Sequence, residues 1–70
     1  MITFGDFIRG WHKYMLNNPE QRPGQALFNF AWFTNETYMI AKRVHSTELD
    51  PFFHDHRVLD FLKMVPTECF

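Results

Sequence analysis

His54-Asp55-His56 is the place in this 70-residue chain where metal-ligating side chain types crowd together, and His12 and His45 are the other imidazoles that a site could draw on. Zinc takes imidazole and carboxylate ligands. Convergence on one ion from a helix calls for histidines four residues apart, however, and alternate residues at the mouth of a helix diverge by about 200°. The cluster therefore reads as cap and surface residues, with Asp55 accepting from backbone N–H groups at the start of a helix. No metal and no cofactor is expected.

Nucleophiles fare no better. The single cysteine, Cys69, lies one residue from the end, and the hydroxyls Thr3, Thr34, Thr37, Ser46, Thr47 and Thr67 stand in no recognisable elbow or triad motif. Glu48 and Asp50 lie in a loop just before Pro51, where capping accounts for them without acid–base chemistry. Gly24 is a lone glycine in its segment, whereas a phosphate-cradling loop needs several. Asn35-Glu36-Thr37 matches a glycosylation acceptor but reads as a helix start. The expectation is a protein that binds and does not catalyse.

Charge narrows what it binds. Seven Lys and Arg against eight Asp and Glu give net −1, with both signs scattered. No basic run is present to neutralise successive phosphates. Lys42 and Arg43 at a helix end allow a helix-turn-helix reading, but the charge balance weighs against nucleic acid as a partner. With one cysteine, no internal disulfide can form, and the N-terminal segment carries Asp6 where a signal peptide is apolar. No stretch approaches the roughly 18 apolar residues needed to cross a bilayer. The expected setting is a reducing cytoplasm, with no membrane partner.

Nine Phe, two Trp and two Tyr make up 19% of the chain. Each ring can remove roughly 150–250 Å² from water, so a short chain gains a dense core from few residues. A body this small nevertheless buries a smaller fraction of its surface than a large one, which leaves some rings for a partner. Phe52 and Phe53 are the expected anchors, because adjacent rings on a loop do not easily both point inward; His54 or Trp11 would border them. The competing expectation is that Phe52 and Phe53 both plug one end of the core.

Four helices must position these groups. Thr3 and Asp6 stand at capping-box spacing, and Phe4, Phe7, Ile8, Trp11 and Met15 form one stripe that should stop near Asn17-Asn18, before Pro19. Pro23 suits the first turn of a second helix, whose residues from Ala26 to Phe33 are apolar all round and so belong in the middle. Thr34 to Thr37 offers caps for a third helix running to about His45, with Lys42, Arg43 and His45 complementing its dipole. An irregular connection follows from Ser46 to Pro51. A fourth helix starts near Asp55, carries Val58, Phe61, Leu62 and Val65 on one face, and should end at Pro66, leaving a frayed tail. The predicted fold is all-α: one small domain, a compact bundle of about four short helices around the apolar second.

Polar residues inside that frame need partners. Asn29, flanked by Phe28 and Phe30, is expected to bond a neighbouring loop. Arg22 and Gln25 are placed to orient the Thr47–Asp55 segment, by bonding its carbonyls or by pairing with Asp50 or Asp55.

Arg22-Pro-Gly-Gln25-Ala-Leu-Phe-Asn29, followed about twenty residues later by Thr47-Glu-Leu-Asp50-Pro-Phe52-Phe53-His54-Asp55 and a closing Phe61-Leu62, resembles a pattern seen in short uncharacterised proteins of bacteriophages and bacteria. His56 departs from it, standing where a small residue often sits. The resemblance covers Arg22 to Leu62 and implies a small phage or bacterial cytoplasmic protein, with Arg22, Gln25, Asn29, Asp50 and Asp55 as the matching positions. No catalytic role comes with it. The expected function is binding another protein, as a phage-type modulator or inhibitor of a host enzyme or defence complex. A self-associating homodimer or assembly protein is the alternative, and a small DNA-binding regulator the second alternative.

Overall fold

The first helix begins where its capping box closes. In the computed structural model, which describes residues 3–68 and their side chains through Val65, Asp6 N–H donates to Thr3 Oγ1 at 3.1 Å and Thr3 N–H donates to Asp6 Oδ2 at 3.1 Å. Cys69 and Phe70 lie outside the described residues. Helix α1 (Phe4–Asn17) ends at Asn18, whose amide donates back to the Tyr14 carbonyl at 2.9 Å. Asn18 does this at φ −135°, outside the left-handed region expected of an Asn stop. The Thr3 N–H above all, and then Arg9, holds the Asp6 carboxyl below its ordinary value. A depressed folded-state value stabilises the fold above the unfolded value and ceases to do so as pH falls through the folded one. Acid titration followed by circular dichroism should therefore show fraying of α1 as Asp6 takes up its proton, and Asp6→Asn, which removes the titrating group, should abolish that pH response.

Helix α2 (Pro23–Trp32) packs against α1, against α3 (Tyr38–Val44), against the 3-10 turn Asp55–Arg57 and against α4 (Val58–Glu68). Its position follows from its composition: Ala26, Leu27, Phe28 and Ala31 are buried, and Phe30 and Trp32 are partly so. Phe7 from α1, Ile40, Ala41 and Val44 from α3, and Phe61 and Val65 from α4 complete the core. The large apolar side chains among these contribute about 1.5–3 kcal/mol each when fully buried, the alanines less. A Cβ at Gly10 would overlap the Phe30 ring, so this glycine lets α1 lie close on α2. The fold is an all-α bundle of four helices around the second; its Cα radius of gyration, 10.8 Å, matches the about 11 Å expected for a packed chain of this length.

Two helix ends differ from expectation. Thr37 is the N-cap residue of α3 and its carbonyl accepts from Ala41 N–H at 3.1 Å, but neither threonine hydroxyl caps that helix; both close α2, the Thr34 hydroxyl donating to the Phe30 carbonyl at 2.8 Å and the Thr37 hydroxyl to the Ala31 carbonyl at 2.9 Å. The last carbonyls of a helix lack intrahelical partners, and the turn after α2 folds these two hydroxyls back onto them. The fourth helix also does not stop at Pro66 but runs on to Glu68. Proline there forfeits one N–H bond with little helix left beyond it, whereas the same residue in a helix interior breaks the structure.

Candidate functional site

The segment between α3 and α4 is irregular in path yet tied down at almost every residue. Val44 ends α3, and its carbonyl accepts from the Thr47 N–H at 2.9 Å and the Thr47 hydroxyl at 2.7 Å. Ser46 sits at φ 62°, the one positive-φ residue other than glycine among those described. This left-handed position reverses the chain, and it aims the Ser46 N–H at Asp50. Asp50 is 0% exposed, and its carboxylate is the hub: Oδ2 accepts from Ser46 N–H at 2.7 Å and Oδ1 from Phe52 N–H at 2.9 Å. His45 Nδ1 lies 3.7 Å from Oδ2. A buried carboxylate is tolerated where hydrogen-bond donors converge on it, and here two backbone N–H groups do.

The loop then docks on the N-terminus of α2. Arg22 Nη2 donates to the Phe52 carbonyl at 2.6 Å, and Nη1 stands 3.8 Å from Asp55 Oδ2. Asp55 Oδ1 accepts from the Gly24 N–H at 3.2 Å, so its carboxylate supplies the negative charge that the first turn of α2 favours. This corrects the expected role of Asp55: it caps α2, 31 residues earlier in the chain, and not the helix that follows it. Gly24 is what permits the approach, since a Cβ there would overlap the Pro51 carbonyl oxygen and stand 2.7 Å from Asp55 Oδ1.

The docked loop extends a run of rings that passes through the core at Phe28 and emerges at the loop. Tyr38 meets Trp32 edge-on at 5.0 Å between centroids, Trp32 meets Phe28 at 5.7 Å, Phe28 meets Phe52 edge-on at 5.9 Å, and Phe52 meets Phe53 at 4.8 Å. His45 lies against both Phe28 and Trp32, at 5.6 Å from each. Such tilted and edge-on pairs are the favourable aromatic arrangements. The run starts partly buried and ends at Phe53, which is 56% exposed.

The sequence-expected site residues thus separate into groups. Phe52 and Phe53 neither both point out nor both plug the core: Phe52 packs against the core and Phe53 lies over it, facing solvent. Half-buried His54 follows directly, with its ring 5.6 Å from that of His56. Trp11 belongs elsewhere. It packs on the core from α1, its buried indole N–H has no hydrogen-bond partner among the described residues, and no ring contact joins it to Phe52 or Phe53 there. Of the polar residues, Arg22 and Asp55 meet at the base of the loop and Asp50 organises its interior. Gln25 stays within its own helix start, its amide oxygen 3.4 Å from the Arg22 N–H, and does not reach the loop. Asn29 donates to Gln21 Oε1 at 3.0 Å in the α1–α2 connection, and Gln21 donates on to the Tyr14 hydroxyl at 3.2 Å.

Gly24, Ser46 and His45 matter to this site and escaped the sequence reading. From sequence, Gly24 stands only as a glycine too solitary for a phosphate loop, Ser46 only as a hydroxyl at the start of an irregular connection, and His45 only as a spare imidazole and a cation at a helix end. Their roles depend on partners distant in sequence or on a backbone angle, neither of which local pattern encodes. Among the described residues no three His, Cys, Asp or Glu side chains group closely enough to hold a metal ion, and no helix is long and apolar enough to cross a membrane. Comparison with protein-family models, curated proteins and solved structures found nothing that matches this chain.

Proposed function

We propose that this chain is a small protein-binding module that inserts Phe53 into a pocket of another protein, in the manner of a phage-type modulator or inhibitor acting on a host enzyme or defence complex. The observation that carries the reading is an exposed ring on a loop whose backbone is already fixed. Phe53 is backed by Phe52, and the carbonyl of Phe52 is held by Arg22 while its N–H is held by Asp50. A preordered aromatic anchor avoids much of the entropy loss that weakens flexible binders. The phage setting rests on the resemblance over Arg22 to Leu62 and on size.

Phe53→Ala is the direct test. The ring is more than half exposed, so its removal should cost the fold no more than about 1 kcal/mol. An anchor residue contributes at least about 2 kcal/mol to binding, so affinity should fall roughly 30-fold or more. Tagged wild type and variant are compared in capture from native host lysate. A stoichiometric partner retained by the first and lost by the second supports the reading, and equal capture by both removes Phe53 from it. Sedimentation at several concentrations tests self-association: a tight dimer that Phe53→Ala dissociates would assign the ring to a second copy of the chain.

A further inference from the structure

His54 near the end of the docking loop and His56 just beyond it do not diverge as alternate helical residues would. His54 precedes the 3-10 turn and has extended backbone, φ −138° and ψ 90°, so the pair straddles the junction of two conformations. Their ring centroids end 5.6 Å apart, with the planes at 64°. A metal bound to a ring nitrogen at about 2.0–2.1 Å lies about 3 Å from that ring's centre, so two imidazoles sharing one ion stand roughly 4.5–5 Å apart. The observed separation is about 1 Å wider than that, so the rings must close slightly and turn from their edge-on contact for a nitrogen of each to face one ion. His56 is exposed and His54 half-buried, which leaves room for water on the open side. Asp55 between them is turned to the Gly24 N–H and to Arg22, so its carboxylate is already engaged.

We propose that His54 and His56 form a two-imidazole site for a divalent transition-metal ion, copper(II) before nickel or zinc, since sites built from nitrogen ligands follow that order of affinity. Two protein ligands with water completing the shell make an exchangeable site and not a structural one. The site is independent of the docking role of Phe53.

The probe is copper(II) chloride, titrated into the full chain carrying Cys69→Ser, which removes the one thiol able to reduce the ion. Electron paramagnetic resonance should show one equivalent bound with coupling to two imidazole nitrogens. Nuclear magnetic resonance should show broadening at His54 and His56 before His12 and His45. His54→Ala and His56→Ala should each weaken binding by roughly tenfold or more, with the circular dichroism spectrum unchanged. Unchanged affinity in both variants, broadening centred first on His12, His45 or the N-terminus, or no binding at micromolar copper would each overturn the assignment.

Discussion

Gly24→Ala is expected to destabilise the fold by about 2–4 kcal/mol, even though alanine in place of glycine favours a helix interior by roughly 0.5–1 kcal/mol. The new Cβ would overlap the Pro51 carbonyl oxygen, a backbone atom that cannot rotate away, and would press on Asp55 Oδ1. Relief requires the loop to lift from α2. Lifting it forfeits the Gly24 N–H to Asp55 bond and the Arg22 to Phe52 bond, and charge-assisted bonds contribute about 1.5–3 kcal/mol each where well formed. The Arg22–Asp55 ion pair adds little, being half exposed on both sides. For a domain whose total stability is about 4–10 kcal/mol, such a loss should lower the melting temperature by at least about 10 °C. Thermal unfolding measures it; a variant as stable as the parent would show that the loop does not rest on α2.

Asp50→Ala carries the second large effect, about 2–3 kcal/mol, by a different route. Its carboxylate is fully buried and accepts from Ser46 and Phe52 N–H groups, and removal leaves two donors without their partner. Ser46 holds a left-handed backbone to make its bond. Without the acceptor that conformation loses its return, since a residue with a Cβ pays about 1–2 kcal/mol to adopt it. Asp50→Asn should fall between wild type and alanine, because an amide presents only one acceptor to the two donors. Chemical denaturation of the three proteins gives the ordering, and an alanine variant within 0.5 kcal/mol of wild type, roughly the scatter of neutral surface changes, would contradict it.

How much of this could be read from the chain alone depends on how far apart the partners stand. The capping box at Thr3 and Asp6, the apolar stripe of α1 and the central place of α2 involve neighbours within one or two turns, and composition and spacing suffice for them. Long-range polar contacts were legible only by residue type. Arg22 carries enough donors at the head of an apolar helix to imply a loop carbonyl or Asp55 as its partner, and it reaches both, whereas the Gly24 N–H that Asp55 caps has no signal in the chain, where proximity favours the helix that follows Asp55. Gly24 exposes the same limit: its use is a close approach between two backbones, which has no local signature. For Phe52 and Phe53 the pattern could not divide the pair, because burial of one ring depends on Phe28 standing opposite it. The excess of rings was legible as such. Phe53 and Phe33, the latter 83% exposed just beyond the end of α2, are the described aromatics that the core leaves outside.

What joins fold to proposed function is the claim that the loop from Ser46 to Asp55 is a fixed platform holding Phe53 outward before any partner arrives. Amide hydrogen exchange of the Ser46, Phe52 and Gly24 N–H groups in the free protein tests it most directly, since each donates to a carboxylate of the loop. A fixed platform predicts protection at all three comparable to that of Ala26 inside α2, lost together in Asp50→Ala at Ser46 and Phe52. Exchange at unprotected rates in the wild-type protein, while Ala26 stays protected, would show a loop that opens freely and would contradict the claim.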